Sequence, residues 1–305
     1  MSVEQPAAVD AVVARVRAVY GRWRRDTPVA QMRADWDALF TGPMDASGRP
    51  VDAAGVPCEW IVAPGAQARK AIVYFHGGGF QVGSVASHRE LMGRLSAAAG
   101  VSVLGVGYRL APEHRYPAAL QDALTVMAWL RAQGFRPRDV ALAGDSAGGG
   151  LALSVLLSLQ QKGEALPAAG FLMSAWTDLT ASGSSYESRA ALDPIHQRPM
   201  IQAMARNYLG AADTASALAS PLFAQAASLA ALPPLLLQVG ERETVVSDSE
   251  AFAQKVVAAG GRAELQVWPG MIHVFQQFPA ELVAAREAVA QGGRFLATHL
   301  GVANP

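Results

Sequence analysis

Ser146 lies in the run Gly144-Asp145-Ser146-Ala147-Gly148-Gly149, between the short apolar stretch Val140-Ala141-Leu142-Ala143 and an apolar helical pattern over 151–159. Glycines two before and two after a serine, between a strand and a helix, suit a sharp, strained turn that exposes the hydroxyl at a sheet edge. A serine held that way is a nucleophile elbow, and its chemistry is acyl transfer. Bare G-x-S-x-G also arises in Gly/Ser-rich loops, so the flanking strand and helix carry the reading. Upstream, Ala71-Ile72-Val73-Tyr74-Phe75 leads directly into His76-Gly77-Gly78-Gly79-Phe80. Consecutive glycines leave backbone N–H groups uncovered and let a carbonyl approach closely. Donors preorganised where negative charge develops are worth about 3–4 kcal/mol each. A flexible glycine turn is the lesser alternative for this run alone; followed by Ser146, it reads as an oxyanion loop.

A serine hydroxyl needs a base, and the base needs an acid to hold its tautomer. In strand–turn–helix hydrolases the chain order is nucleophile, acid, histidine. After Ser146 the histidines are His196 and His273. His273 follows the alternating run 263–268 and precedes the last helical pattern, which is where the base is expected. His196 falls in a long interval without a clear strand and is expected at the surface. The acid is expected in the loop after the apolar run 235–239, where Glu241, Glu243 and Asp248 are available. Ser247 and Asp248 also suit capping of the next helical run, starting at Ala251, and Glu241 is expected to face solvent.

The chain resembles the hormone-sensitive-lipase-like family, the bacterial family IV esterases. HGGGF at 76–80, YRLAPEHRYPAAL at 108–120 and GDSAGG at 144–149 carry the likeness, with a weaker echo in Trp176-Thr177-Asp178-Leu179-Thr180. It extends over most of residues 55–300. The resemblance implies an α/β-hydrolase fold and oxyanion donors at the second and third glycines and at the residue after the serine: Gly78, Gly79 and Ala147. It places the acid at Glu243, where the family commonly has aspartate followed by Pro-Leu; here Thr244 follows. Either carboxylate orients an imidazole, and Asp248 stays the competitor. His76 is expected to support the oxyanion loop, and Asp145 to stabilise the elbow through local hydrogen bonds. The 108–120 stretch is assigned to scaffolding, with Pro112 and Pro117 fixing a turn and Arg109 pairing with Glu113.

These residues need a sheet to hold them. Runs of strand character at 57–62, 70–75, 101–107, 139–143, 168–173, 235–239 and 263–268 alternate with helical patterns at 88–99, 117–133, 147–161, 247–259 and 280–299. Such alternation predicts a mostly parallel sheet with helices on both faces, as one domain over 1–305. Helical patterns at 9–25 and 29–40, and another at 200–209 inside the strandless interval 178–232, lie outside it. The resemblance makes about 1–50 and about 180–220 the two parts of a helical cap over an acyl pocket. Phe80, Trp36, Phe40, Trp176 and Tyr208 are the aromatics available to line that pocket.

Composition fits an enzyme of small molecules. Hydrophobic residues make up 51% of 305 residues and charged ones 16%, enough to bury a large core. Lys+Arg and Asp+Glu both number 25, so no charge excess recruits nucleic acid. Cys58 is the sole cysteine, expected as a buried thiol. With no secretory signal pattern at Met1 and no apolar run near the roughly 18–20 residues of a membrane span, a cytoplasmic enzyme without stable membrane association is expected. The expected reaction is hydrolysis of short-chain carboxylic esters, about eight carbons or fewer by resemblance, through Ser146, His273 and Glu243. No metal or organic cofactor is implied, and a homodimer is compatible with the chain. Lactonase, amidase or acyltransferase chemistry would use the same residues. A binding-only relative would lack the histidine, and His273 argues against that.

Overall fold

Eight strands form one sheet in the order β1-β2-β4-β3-β5-β6-β7-β8. The computed structural model describes residues 6–24, 26–40 and 46–302; residues 1–5, 25 and 41–45 of the expected N-terminal segment lie outside that description. The strands are β1 (Ser47–Ala53), β2 (Val56–Val62), β3 (Gln67–Phe75), β4 (Val101–Val106), β5 (Val140–Asp145), β6 (Gly170–Met173), β7 (Leu235–Gly240) and β8 (Ala263–Trp268). From β4 across to β8 all pairings are parallel, while β1 and β2 add an antiparallel edge.

The helices are α1 (Pro6–Tyr20), α2 (Val29–Leu39), α3 (Arg89–Ala99), α4 (Ala118–Ala132), α5 (Ala147–Gln161), α6 (Ser185–Ser188), α7 (Arg198–Leu209), α8 (Ala226–Ala230), α9 (Val246–Ala258) and α10 (Val283–Leu300). Alternate side chains of β3 go to opposite faces of the sheet. Val73 and Phe75 pack with Val126, Leu156 and Phe252 of α4, α5 and α9, whereas Ile72 and Tyr74 pack with Leu95 and Leu296 of α3 and α10. Burial on both faces explains why the parallel strands read as continuous apolar runs. β1 is the strand the sequence pattern does not reveal. Its Ser-Gly-Arg-Pro-Val-Asp-Ala sequence is mostly exposed on an antiparallel edge, where proline is tolerated. The sheet therefore begins at Ser47, inside the expected 1–50 segment.

A third apolar cluster joins α1 to the chain beyond β8. Val9, Val12, Val13 and Val16, at helical spacing, pack against Met271, Phe275, Phe278 and Leu282. Burying each valine contributes roughly 1.5–3 kcal/mol, so α1 is anchored on the segment that carries His273. Among the described residues, no helix is long and apolar enough to cross a membrane.

Candidate active site

Strand ends bring the chemistry together. β5 ends at Asp145 and α5 begins at Ala147, so Ser146 makes the turn with φ +51° and ψ −120°. A non-glycine residue there stores about 1–3 kcal/mol of strain, which the surrounding packing must hold. The turn fits because Gly148 has no Cβ: one would lie 2.0 Å from the carbonyl oxygen of Phe75. Opposite, the loop after β8 presents His273, whose Nε2 is 2.9 Å from Ser146 Oγ. Its Nδ1 is 2.7 Å from Glu243 Oε2, in the loop after β7. Glu243 is wholly buried, and its Oε1 accepts hydrogen bonds from the Ser174 hydroxyl (2.7 Å) and the Gly240 N–H (2.5 Å). Ser174 also accepts the N–H of Val274 at 3.0 Å, so one hydroxyl ties the loop after β6 to the loops of Glu243 and His273.

Burial pulls the His273 ring toward its neutral form. The Glu243 carboxylate outweighs that through charge and hydrogen bond, and Asp193 and Asp145 add to it, so the imidazole ends above the ordinary histidine range.

Gly78 and Gly79 border the same cavity as Ser146, with φ of +113° and +61°. Among the described residues, nothing accepts from the N–H groups of Gly78, Gly79 or Ala147. A Cβ on Gly78 would meet the Val82 carbonyl oxygen at 2.1 Å, so that position admits only glycine. The local hydrogen bonds expected of Asp145 from the sequence are not what it makes: its partners are distant in the chain. Its Oδ1 accepts the Tyr74 hydroxyl (2.7 Å) and the Gly77 N–H (3.0 Å), and His88 Nε2 lies 3.2 Å away. The elbow is thereby tied to the glycine loop. His76 stacks on Tyr108 and its Nδ1 lies 2.8 Å from the Gly77 carbonyl oxygen; burial, then the neighbouring His88, pushes it down to about 3.

The cavity beside Ser146 has a volume of about 220 Å³. Trp36 and Phe40 line it, as does Trp176, together with Tyr20, Met204 and Phe278. Phe80 and Tyr208 do not. Their rings stack on each other at 3.7 Å with planes 6° apart, both almost fully buried, and fasten α7 to the glycine loop from behind. The aromatic count of the sequence could not separate a wall from its support.

Other expectations need correcting. His196 is buried, not at the surface, and its ring stands edge-on against His273 with centroids 4.4 Å apart. Burial, reinforced by His273, pushes it down to about 3. Asp248 does not cap α9, which starts at Val246; from the first turn its carboxylate accepts the N–H groups of Thr177 (3.1 Å) and Asp178 (3.0 Å). Burial pushes that carboxyl well above its usual range, and it makes no contact with His273 among the described residues. Glu241 accepts the Gly270 N–H at 2.9 Å instead of facing only solvent. Arg109 pairs with Asp122, and Glu113 with Arg33 of α2, both at 2.7 Å. Cys58 is a buried thiol, as expected, pushed up to about 12 by burial.

Residues 72–277 match the sequence model of the α/β-hydrolase fold family. The chain belongs to that family. Within it, this α/β-hydrolase is 40% identical over 243 residues to an acetyl-hydrolase of Streptomyces hygroscopicus, covering 80% of each chain. It is 37% identical to an esterase of Acinetobacter venetianus over 81% of this chain and 80% of that one. A solved esterase from the bacterial hormone-sensitive lipase family superposes with a TM-score of 0.93 at 39% identity, covering 98% of this chain and 100% of that one. The hydrolase thus falls in the hormone-sensitive-lipase-like branch. The residues beyond the expected set are Ser174, Asp193 and His196. The only signal for them was position: a serine at a strand end, and an Asp-Pro turn before a histidine.

Proposed function

We propose that the chain is a serine carboxylesterase acting on short-chain esters through Ser146, His273 and Glu243. The observation that carries this is the continuous relay Ser146–His273–Glu243, at 2.9 and 2.7 Å, beside uncommitted backbone N–H groups. Ser146 Oγ forms a bond to the ester carbonyl carbon while His273 Nε2 takes the hydroxyl proton. Glu243 holds the proton on Nδ1 and stabilises the imidazolium. Gly78, Gly79 and Ala147 donate to the oxyanion. Collapse breaks the bond to the alkoxy group, which leaves as alcohol with the proton from His273. Water, deprotonated by the same ring, then releases the acid and restores Ser146. The stretches around α1–α2 and α6–α7 act as the cap.

Support for a short acyl chain comes from the cavity. At about 220 Å³ it is smaller than the roughly 300–1,000 Å³ of sites for drug-sized ligands. The relatives point the same way: one is an acetyl-hydrolase, and a solved neighbour at 37% identity, EstE5, was soaked with p-nitrophenyl butyrate. The deciding experiment is a series of 4-nitrophenyl esters from acetate to dodecanoate, with peptide mapping after phenylmethylsulfonyl fluoride. Highest kcat/KM at eight carbons or fewer, with the sulfonyl adduct on Ser146, is expected. A preference for long chains, or an adduct on another residue, refutes the corresponding part.

A further inference from the structure

The stretch between α6 and α7 carries Asp193-Pro194-Ile195-His196, and two of its side chains, both buried, reach the reacting groups from outside the sheet. One carboxylate oxygen of Asp193 accepts the N–H groups of Ile195 (2.8 Å) and His196 (2.9 Å), closing a tight turn. The other accepts the N–H and the hydroxyl of Thr244, at 2.7 and 3.0 Å. Thr244 directly follows Glu243 and is wholly buried. The same turn sets the His196 ring against His273, with planes at 87°. A buried carboxylate is costly unless its hydrogen-bonding capacity is satisfied, and here both oxygens are used.

We propose that Asp193 is a positioning residue for the acid–base pair. It locks the Glu243–Thr244 backbone to the helical side of the cavity and holds His196 as the wall that fixes the His273 ring plane. This rests on Ser146, Glu243 and His273 being the reacting groups. The charge of the carboxylate also acts on the His273 ring, which gains a proton during attack. The groups bearing on His273 are Glu243 from the loop after β7, Asp193 and His196 from the α6–α7 stretch, and Asp145 at the end of β5. Asp193 in turn bears on Tyr20 of α1. Taking the Asp193 charge away weakens the hold of His273 on its proton, so the ring becomes a free base at lower pH.

The test compares Asp193→Asn and Thr244→Val with wild type on 4-nitrophenyl butyrate, with active sites counted by phenylmethylsulfonyl fluoride titration. Asp193→Asn is expected to lower kcat per active site roughly ten- to a hundredfold with little change in KM, as misplacement of a catalytic group does. It also moves the acid limb of the kcat/KM profile to lower pH. Thr244→Val removes one hydroxyl donor but keeps the carboxylate, so it lowers kcat by about threefold and leaves the limb in place. A purely structural role would reduce the number of active sites or the Tm and move neither kcat per site nor the limb. Wild-type kcat per site and an unmoved limb in Asp193→Asn overturn the proposal. If that variant fails to fold, wild-type kcat in Thr244→Val overturns it. Ser146→Ala run alongside separates the failures. An active Ser146→Ala sinks the assignment of the reacting groups, whereas a dead one beside an unaltered Asp193→Asn sinks this proposal alone.

Discussion

Ser146, Glu243 and His273 hang from the ends of β5, β7 and β8, whereas the wall facing them is drawn from α1, α2 and α7. On the sheet side each of these three residues is held by hydrogen bonds to a neighbouring strand-end loop, as Glu243 is by Ser174 and Gly240. On the helical side the contacts are mainly ring against ring: Tyr20 on Trp36, Trp36 on Phe40, Phe40 on Phe278. α2 has no fully buried residue; Arg33 anchors it through the carbonyls of Gln81 and Ala111 and through Glu113. Hydrogen-bonded geometry has one solution, while an apolar wall tolerates changes of volume and shape. Mutations on the two sides should therefore fail differently, in rate on one and in selectivity on the other.

The sharpest break is Ser146→Ala, expected from the proposed role to cost about six orders of magnitude in kcat, because the members of a catalytic triad act as a unit. A contamination-free preparation retaining a tenth of the rate would end the nucleophile assignment. Next comes Glu243→Gln, expected to cost about four orders, as loss of a triad carboxylate does. Asp248→Ala should instead leave kcat within tenfold and lower stability by about 2 kcal/mol, since it strands the N–H groups of Thr177 and Asp178. Steady-state rates and urea midpoints on both variants check the ranking, and the reverse order would move the acid to Asp248.

Gly78→Ala tests the loop itself. The new Cβ must push Val82 aside at a φ that alanine rarely adopts, so a loss of about 10²–10³ in kcat is expected, comparable to losing one oxyanion donor. An unchanged kcat in a folded variant would mean that Gly78 does not place a donor. Across the cavity, Trp36→Ala should behave in the other manner. Acetate turnover stays close to wild type, while the hexanoate-to-butyrate ratio of kcat/KM rises about tenfold, in line with 1–3 kcal/mol per methylene in a pocket wall. If instead turnover of every ester fell equally, the helical side would be part of the rate machinery and the contrast would be lost.

The same contrast governs what the sequence revealed. Parallel strands buried on both faces, with turns fixed by glycine at their ends, leave a local imprint, so the strand runs from 57 onward and the glycine turn after β3 were legible. β1 was not, because an exposed edge strand needs no apolar pattern. Partners set by tertiary packing leave no local trace. Arg109 meets Asp122 a helix turn beyond Pro117 rather than Glu113, and Phe80 meets Tyr208 across more than a hundred residues. His196 looked like a surface residue because the stretch around it is not periodic. The turn that carries it is closed by Asp193, whose partner Thr244 lies on the far side of β7 in sequence.

The smallest effect separates the two sides by stability instead of rate. His76 behind the glycine loop and His196 against the His273 ring are both buried, and burial pushes each down to about 3. A folded-state pKa below the unfolded value of about 6.5 means that the unfolded chain binds more protons between those limits. The stability of the neutral, buried ring is therefore fully present above pH 6.5 and is lost as pH falls toward 3. His273 runs the other way: raised in the fold, it favours folding at low pH, and that contribution fades as pH rises through its folded pKa. His76 and His196 each open a stability gap of up to about 2 kcal/mol between pH 7 and pH 5, with the partly exposed His299 acting in the same direction, while the raised His273 ring and the raised, buried Asp248 carboxyl act to close it. Urea midpoints of His76→Phe and His196→Phe at both pH values resolve the shares. Each substitution removes one protonation site from the unfolded chain, so each should narrow the gap between pH 7 and pH 5. A gap that His76→Phe narrows and His196→Phe leaves intact would show that the helical side opens before its histidine protonates, making it the looser half. Equal narrowing would show that both sides unfold as one unit.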